Sequence, residues 1–136
     1  MSNWKLKRKS MDSALKSGAV VLLRELGFKG TYPHFRRSLA ERIDTIGFQF
    51  SQWGPQLYVE LGVADTDGFT LLDGTRFPPK TLKYYECPAR KRIGENPFDF
   101  EVQATELVAD RVRASIDAAH SEWETMWLQY KADSRR

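Results

Sequence analysis

An α+β fold is predicted: an antiparallel β-sheet of about four or five strands, covered on one face by an N-terminal helix and a long C-terminal helix. Three observations carry it. First, the stretch from Arg42 to Val63, RIDTIGFQFSQWGPQLYVELGV, alternates. Ile46, Phe48 and Phe50 interleave with Gly47 and Gln49, and Leu57, Val59, Leu61 and Val63 interleave with Tyr58, Glu60 and Gly62. Period two puts each apolar set on one sheet face, and the Gly-Pro turn between the runs makes them a hairpin. Second, apolar residues recur at three- and four-residue steps on both sides of the strands, the helical spacing. Third, the order is helix, several strands, helix, which argues against parallel βαβ units.

The chain has 136 residues, 41% of them hydrophobic and 29% charged, enough for one domain with its own core. It divides into a basic arm (1–10), one α+β domain (11–132) and a tail (133–136). The net charge is +3, from 21 basic and 18 acidic residues. So small an excess selects a nucleic-acid partner only if it is concentrated on one face. Cys87 is the single cysteine, which rules out an internal disulfide and a thiolate zinc site. No apolar h-region follows Met1, and no run approaches the roughly 20 apolar residues that span a bilayer. The expectation is a reduced, cytoplasmic protein with no membrane association.

The arm SNWKLKRK is read as solvated and frayed. A helix is predicted over Met11–Leu26, capped by Ser10 or Asp12. Leu15, Ala19, Leu22, Leu23 and Leu26 form its stripe, Gly18 is its weak point, and Gly27 is its left-handed C-cap. Lys29–Arg37 holds Pro33, which cannot donate to a ladder, so it is read as an edge strand. If Phe35 points inward, Arg37 shares its side, and Tyr32, His34 and Arg36 face outward. Gly47 inside the next strand marks a bulge or the close approach of another element. Trp53 sits at the hairpin tip. Ala64–Lys80 is a long loop in which Asp67-Gly68 and Asp73-Gly74 make tight turns, with a small hairpin around Phe69, Leu71 and Leu72. Leu82–Cys87 and Phe98–Val102 are candidate strands. Thr105–Lys131 is one helix with Ala109, Val112, Ile116, Ala119, Trp123, Met126 and Tyr130 on its seam.

Leu26-Gly27-Phe28-Lys29-Gly30, Tyr32-Pro33-His34-Phe35-Arg36-Arg37, Ile43, Ile46, Phe48-Gln49-Phe50, Gly54 and Val59-Glu60-Leu61-Gly62-Val63 resemble the pattern of the DUF4304 family. Arg92-Ile93-Gly94 is similar to a later Arg-hydrophobic-Gly step of that family. The resemblance covers roughly the first two thirds of the chain. It implies a bacterial, cytoplasmic domain of unknown function, and it carries over no catalytic residue.

The chemistry in the sequence is sparse. His34 and His120 form no zinc-binding pair. A dyad of His34 with Cys87 is conceivable, but a lone strand cysteine is usually a small buried hydrophobe. Asp44 and Glu60, on adjacent strands, are candidates for paired acid–base carboxylates, against the plainer reading of solvated strand charges. Asp65, Asp67 and Asp73 lack the EF-hand spacing and are read as turn formers. No phosphate loop, metal site or cofactor is expected.

Two binding readings remain beside an unrecognised hydrolase-type site. One is a non-catalytic protein-binding module, of the immunity, antitoxin-like or defence-associated kind, using Tyr32, His34, Arg36, Gln52 and Trp53. Arg36 and Trp53 would then lie in one patch with an open strand edge. The other is a nucleic-acid accessory domain using Arg36, Arg37, Arg42, Arg90, Lys91 and Arg92 interleaved with aromatics. Either a monomer or a homodimer suits both.

Overall fold

The computed structural model describes residues 4–135. Helices α1 (Trp4–Ser17) and α2 (Ala19–Glu25) lead into strands β1 (Lys29–Thr31), β2 (His34–Ser38), β3 (Ile43–Phe50) and β4 (Gln56–Ala64). A small hairpin, β5 (Phe69–Thr70) with β6 (Arg76–Phe77), and two 3₁₀ turns, Pro79–Thr81 and Tyr84–Glu86, precede β7 (Ala89–Asp99). Helices α3 (Thr105–Ala118) and α4 (Glu122–Ser134) close the chain. The main sheet has five strands in the order β1-β2-β3-β4-β7, every pair antiparallel.

The alternation in β3 and β4 sorts as its period requires. Ile46, Phe48, Leu57, Val59, Leu61 and Val63 join Leu22, Leu23, Val112, Ile116 and Trp123 in one core between sheet and helices. Phe50 and Leu26 are only partly buried against it. Gly27 caps α2 at φ +91°, and the Phe28 amide donates to the Leu23 carbonyl at 2.9 Å, the wrap expected of a left-handed C-cap.

Several local expectations are corrected. The first helix starts at Trp4 rather than Met11, so Ser10 and Asp12 lie inside it and the described part of the basic arm is helical. Lysine and arginine are good helix formers, and Arg8 lies 3.7 Å over the Phe50 ring, which ties that turn down. Residues 1–3 of the arm lie outside the described residues. Gly18 ends α1, and α2 is a separate short helix.

The predicted edge strand is a hairpin turning at Tyr32 and Pro33. The outer strand is β1, and β2 is paired on both sides. Leu82–Cys87 is not a strand, because it lies across the sheet as 3₁₀ turns. The strand predicted at Phe98–Val102 begins earlier, and β7 takes in Arg90, Lys91 and Arg92. The C-terminal helix breaks after Ala118, and its second part runs to Ser134, into the expected tail. Ser121 stands at the N-cap position of α4 and Glu124 three residues on, a Ser-x-x-Glu start signal inside the predicted helix. The apolar stripe stays buried on both sides of the break.

The sheet face opposite the helices is also covered. Ile43 and Ala64 pack there against Leu82 and Cys87, with Phe77 beside them. Gly47 is where the cover comes closest: a Cβ there would stand 2.1 Å from Tyr84 Cδ1. The close approach anticipated at Gly47 is therefore an aromatic ring. Among the described residues, no helix is long and apolar enough to cross a membrane.

Candidate functional site

Tyr32, predicted to face outward, turns toward the helices. Its hydroxyl donates to Asp12 Oδ1 at 2.6 Å, and its ring lies 5.7 Å from that of Phe48. Burial, and then Asp12, raise its pKa well above the ordinary value. Tyr32 thus fastens α1 to the sheet.

His34 faces the opposite side, as expected, but it is not free. Its ring stacks on Tyr84 and meets Tyr85 edge-on, both at 5.9 Å. Burial, and then Lys83 and Arg36, lower its pKa, so the imidazole is neutral at pH 7. Its Nδ1 has no hydrogen-bond partner among the described residues. Arg36, on the same face, donates Nε to the Leu82 carbonyl at 3.0 Å.

Gln52 and Trp53 are exposed at the β3–β4 loop. Trp53 is 89% exposed, so it is not a lid on the core. Arg36 pairs with Thr45. From Thr45, β3 runs on to Phe50 before the loop begins, about 17 Å at about 3.3 Å per residue. The structure does not bring Arg36 and Trp53 into one patch.

The basic set is likewise divided. Arg37 and Arg42 both hold Asp44, at 2.6 and 2.7 Å, on the helix side of the sheet. Arg90, Lys91 and Arg92 lie on β7, three strands away from β2, about 14 Å at about 4.8 Å per strand. Lys91 pairs with Glu122 at 2.8 Å, and Arg92 approaches Glu60 at 3.8 Å while lying 4.0 Å over the Tyr58 ring.

Asp44 and Glu60 do not form a carboxylate pair. Asp44 sits opposite Val63 on the helix side, whereas Glu60 sits opposite Gly47 on the other face. Asp44 is also wholly buried rather than solvated. The Cys87 thiol meets Thr45 Oγ1 at 3.4 Å and the Lys83 carbonyl at 3.5 Å, while the ring partners of His34 are Tyr84 and Tyr85. Burial pushes this thiol up to about 12, so it is protonated at neutral pH and a poor nucleophile. A thiol reagent at pH 8 should leave native Cys87 unlabelled over hours and label it at once in denaturant; equal rates would overturn its burial. The raised value also sets a sign. This thiol's contribution to stability is complete below the unfolded value near 9 and is lost as pH rises toward 12.

The loop aspartates make turns. Asp73 Oδ1 accepts from the Thr75 amide at 2.9 Å, and the Asp65 carbonyl accepts from the Gly68 amide at 2.9 Å. Among the described residues, no three His, Cys, Asp or Glu side chains gather as metal ligands.

Trp53 has a neighbouring segment, around Val102, that the sequence did not mark as part of its surface. The Phe100 amide donates to the Pro55 carbonyl at 2.9 Å, which ties the segment after β7 to the β3–β4 loop. Phe50 and Phe100 meet edge-to-face at 6.0 Å beneath the two loops, and the Trp53 amide donates to Ser51 Oγ at 3.1 Å. Trp53 and Val102 stand two residues either side of this tether, 89% and 88% exposed. The alternation at Phe98, Phe100 and Val102 suggested a strand, and that hid the loop role of Val102.

A family model described as "Domain of unknown function (DUF4304)" matches residues 19–130, and the chain belongs to that family. The match takes in α3 and most of α4, beyond the first two thirds on which the resemblance rested. No curated protein and no solved structure matches the chain.

Proposed function

We propose that this DUF4304 domain is a non-catalytic protein-binding module whose contact surface is the β3–β4 loop, with Gln52 and Trp53, and the adjoining segment at Val102. The exposure of Trp53 carries the reading. A tryptophan packed on nothing adds little to the fold, yet tryptophan is among the residue types that most often anchor partner contacts. Its loop is held from beneath by Phe50, Phe100 and the Pro55 tether, so little ordering entropy is lost on docking. The commitment of the reactive groups elsewhere supports a binding role: Cys87 is protonated and buried, and Asp44 is engaged by two arginines.

The test is to replace Trp53 by Ala and Val102 by Ser together, identify a partner by co-purification with the unmutated chain, and titrate it against both proteins. The double variant should melt within about 2 °C of the parent, since neither side chain is buried. It should bind more weakly by over 2 kcal/mol, roughly thirtyfold. Unchanged affinity would remove the surface from consideration. A steep fall of binding with log salt would replace a protein partner by nucleic acid.

A further inference from the structure

A cavity of about 640 Å³ lies between β1–β2 and the 3₁₀ turn at Pro79–Thr81. That is within the range of about 300–1,000 Å³ typical of small-ligand sites. Its polar lining is Lys29, Arg36, Arg37, Ser38, Thr66 and Lys80, with no acidic residue. Asp65 and Asp67 flank Thr66 in the chain, but neither lines the cavity.

The charge there is not internally compensated. Among the described residues, Lys29 and Lys80 enter no ion pair, and the only side-chain hydrogen bond of Arg36 is from Nε to the Leu82 carbonyl. That bond fixes the guanidinium and leaves its terminal amino groups for another acceptor. Arg37 is paired with Asp44, but Asp44 is shared with Arg42, so two guanidinium groups face one carboxylate. The wall behind the cavity therefore keeps one net positive charge. Ser38 and Thr66 add hydroxyl donors. Several donors of positive charge converging on a concave site suit an acceptor with several anionic oxygens and a fixed geometry.

We infer that this cavity binds the phosphate group of a small phosphorylated molecule. Arg36, Lys29 and Lys80 supply charge to the phosphate oxygens, and Ser38 and Thr66 donate hydrogen bonds. The site is separate from the Trp53 surface and does not depend on it.

Thermal unfolding would be followed with inorganic pyrophosphate, with a nucleoside 5′-monophosphate and with oligothymidylate at equal phosphate concentration, each against sodium chloride of equal ionic strength. The unmutated chain should gain about 5 °C at about ten times Kd with pyrophosphate or the monophosphate. The larger gain identifies inorganic phosphate or a phosphate ester as the source. The gain should vanish in the Lys29→Gln/Lys80→Gln variant, whose replaced side chains are exposed, and persist in Arg90→Gln, a basic residue on β7. No gain in the parent, or an equal gain in the lysine variant, overturns the inference. A gain confined to oligothymidylate and weakened by Arg90→Gln also overturns it, in favour of a nucleic-acid surface.

Discussion

Replacing Asp44 by Ala is expected to destabilise the fold by about 3–5 kcal/mol, the cost of leaving buried partners of an ion pair uncompensated. Asp44 is 0% exposed. Its Oδ2 accepts from Arg37 Nη2 at 2.6 Å and Nε at 3.2 Å, and its Oδ1 accepts from Arg42 Nε at 2.7 Å. Arg37 is further held by Nη1 donating to the Leu26 carbonyl at 3.0 Å, just before the turn at Gly27. Arg37 cannot follow a lost carboxylate into water without giving up that bond and its place over the Phe28 ring. The triad need not be stabilising overall, since an apolar trio of similar volume avoids the desolvation cost altogether. Replacing all three together, Arg37→Met, Asp44→Leu and Arg42→Met, should therefore recover most of what Asp44→Ala loses. Urea midpoints at unchanged m-value measure both. A midpoint for Asp44→Ala within about 0.5 kcal/mol of the parent would show that the two guanidinium groups find water after all.

Asp44 also shows what could be read from the sequence and what could not. The strand, its hairpin with β4 and the inward set Ile46, Phe48, Leu57, Val59 and Leu61 follow from alternation and the Gly-Pro turn, which are local. That Asp44 falls on the inward side follows from the same alternation, because it stands two residues before Ile46. Its partners were harder to foresee. The alternation puts Arg37 on the inward side with Phe35, but nothing local joins it to Asp44, and solvated strand charges are the commoner case. Gly47 tells the same story on the other face. A close approach was legible in a glycine interrupting a strand, but the approaching ring, Tyr84, comes from a distant segment that itself reads as a strand. That error left the far face open in the sequence reading. Alternation alone leaves His34 and Arg36 open to a partner, whereas Tyr84, Tyr85 and the Leu82 carbonyl engage them. Trp53 escaped the error because exposure at a hairpin tip depends only on the hairpin.

Trp123→Ala on its own is expected to cost about 3–5 kcal/mol, since a wholly buried indole leaves a cavity the backbone cannot close. The indole does three jobs at one corner. Its Nε1 donates to the Thr45 carbonyl at 2.9 Å, its ring lies 5.1 Å from that of Phe28, and the Arg37 guanidinium sits 5.4 Å from its centroid. It joins α4 to β3 and to the turn after α2, which is why the helix break at Ala119 matters: α4 alone carries Trp123. Trp123→Phe keeps most of the apolar volume and removes one hydrogen bond to the Thr45 carbonyl, which stays within the β3–β4 ladder opposite Gly62, and should cost about 0.5–1.5 kcal/mol beyond the lost ring volume. Trp123 and Asp44 both act on Arg37, so their effects should not add. The double variant Asp44→Ala/Trp123→Ala should differ from the sum of the singles by about 0.5–3 kcal/mol, because an arginine that has lost its carboxylate gains less from a ring beside it. Strict additivity would mean that Arg37 does not couple them, and that helix α4 and the buried triad hold the sheet independently.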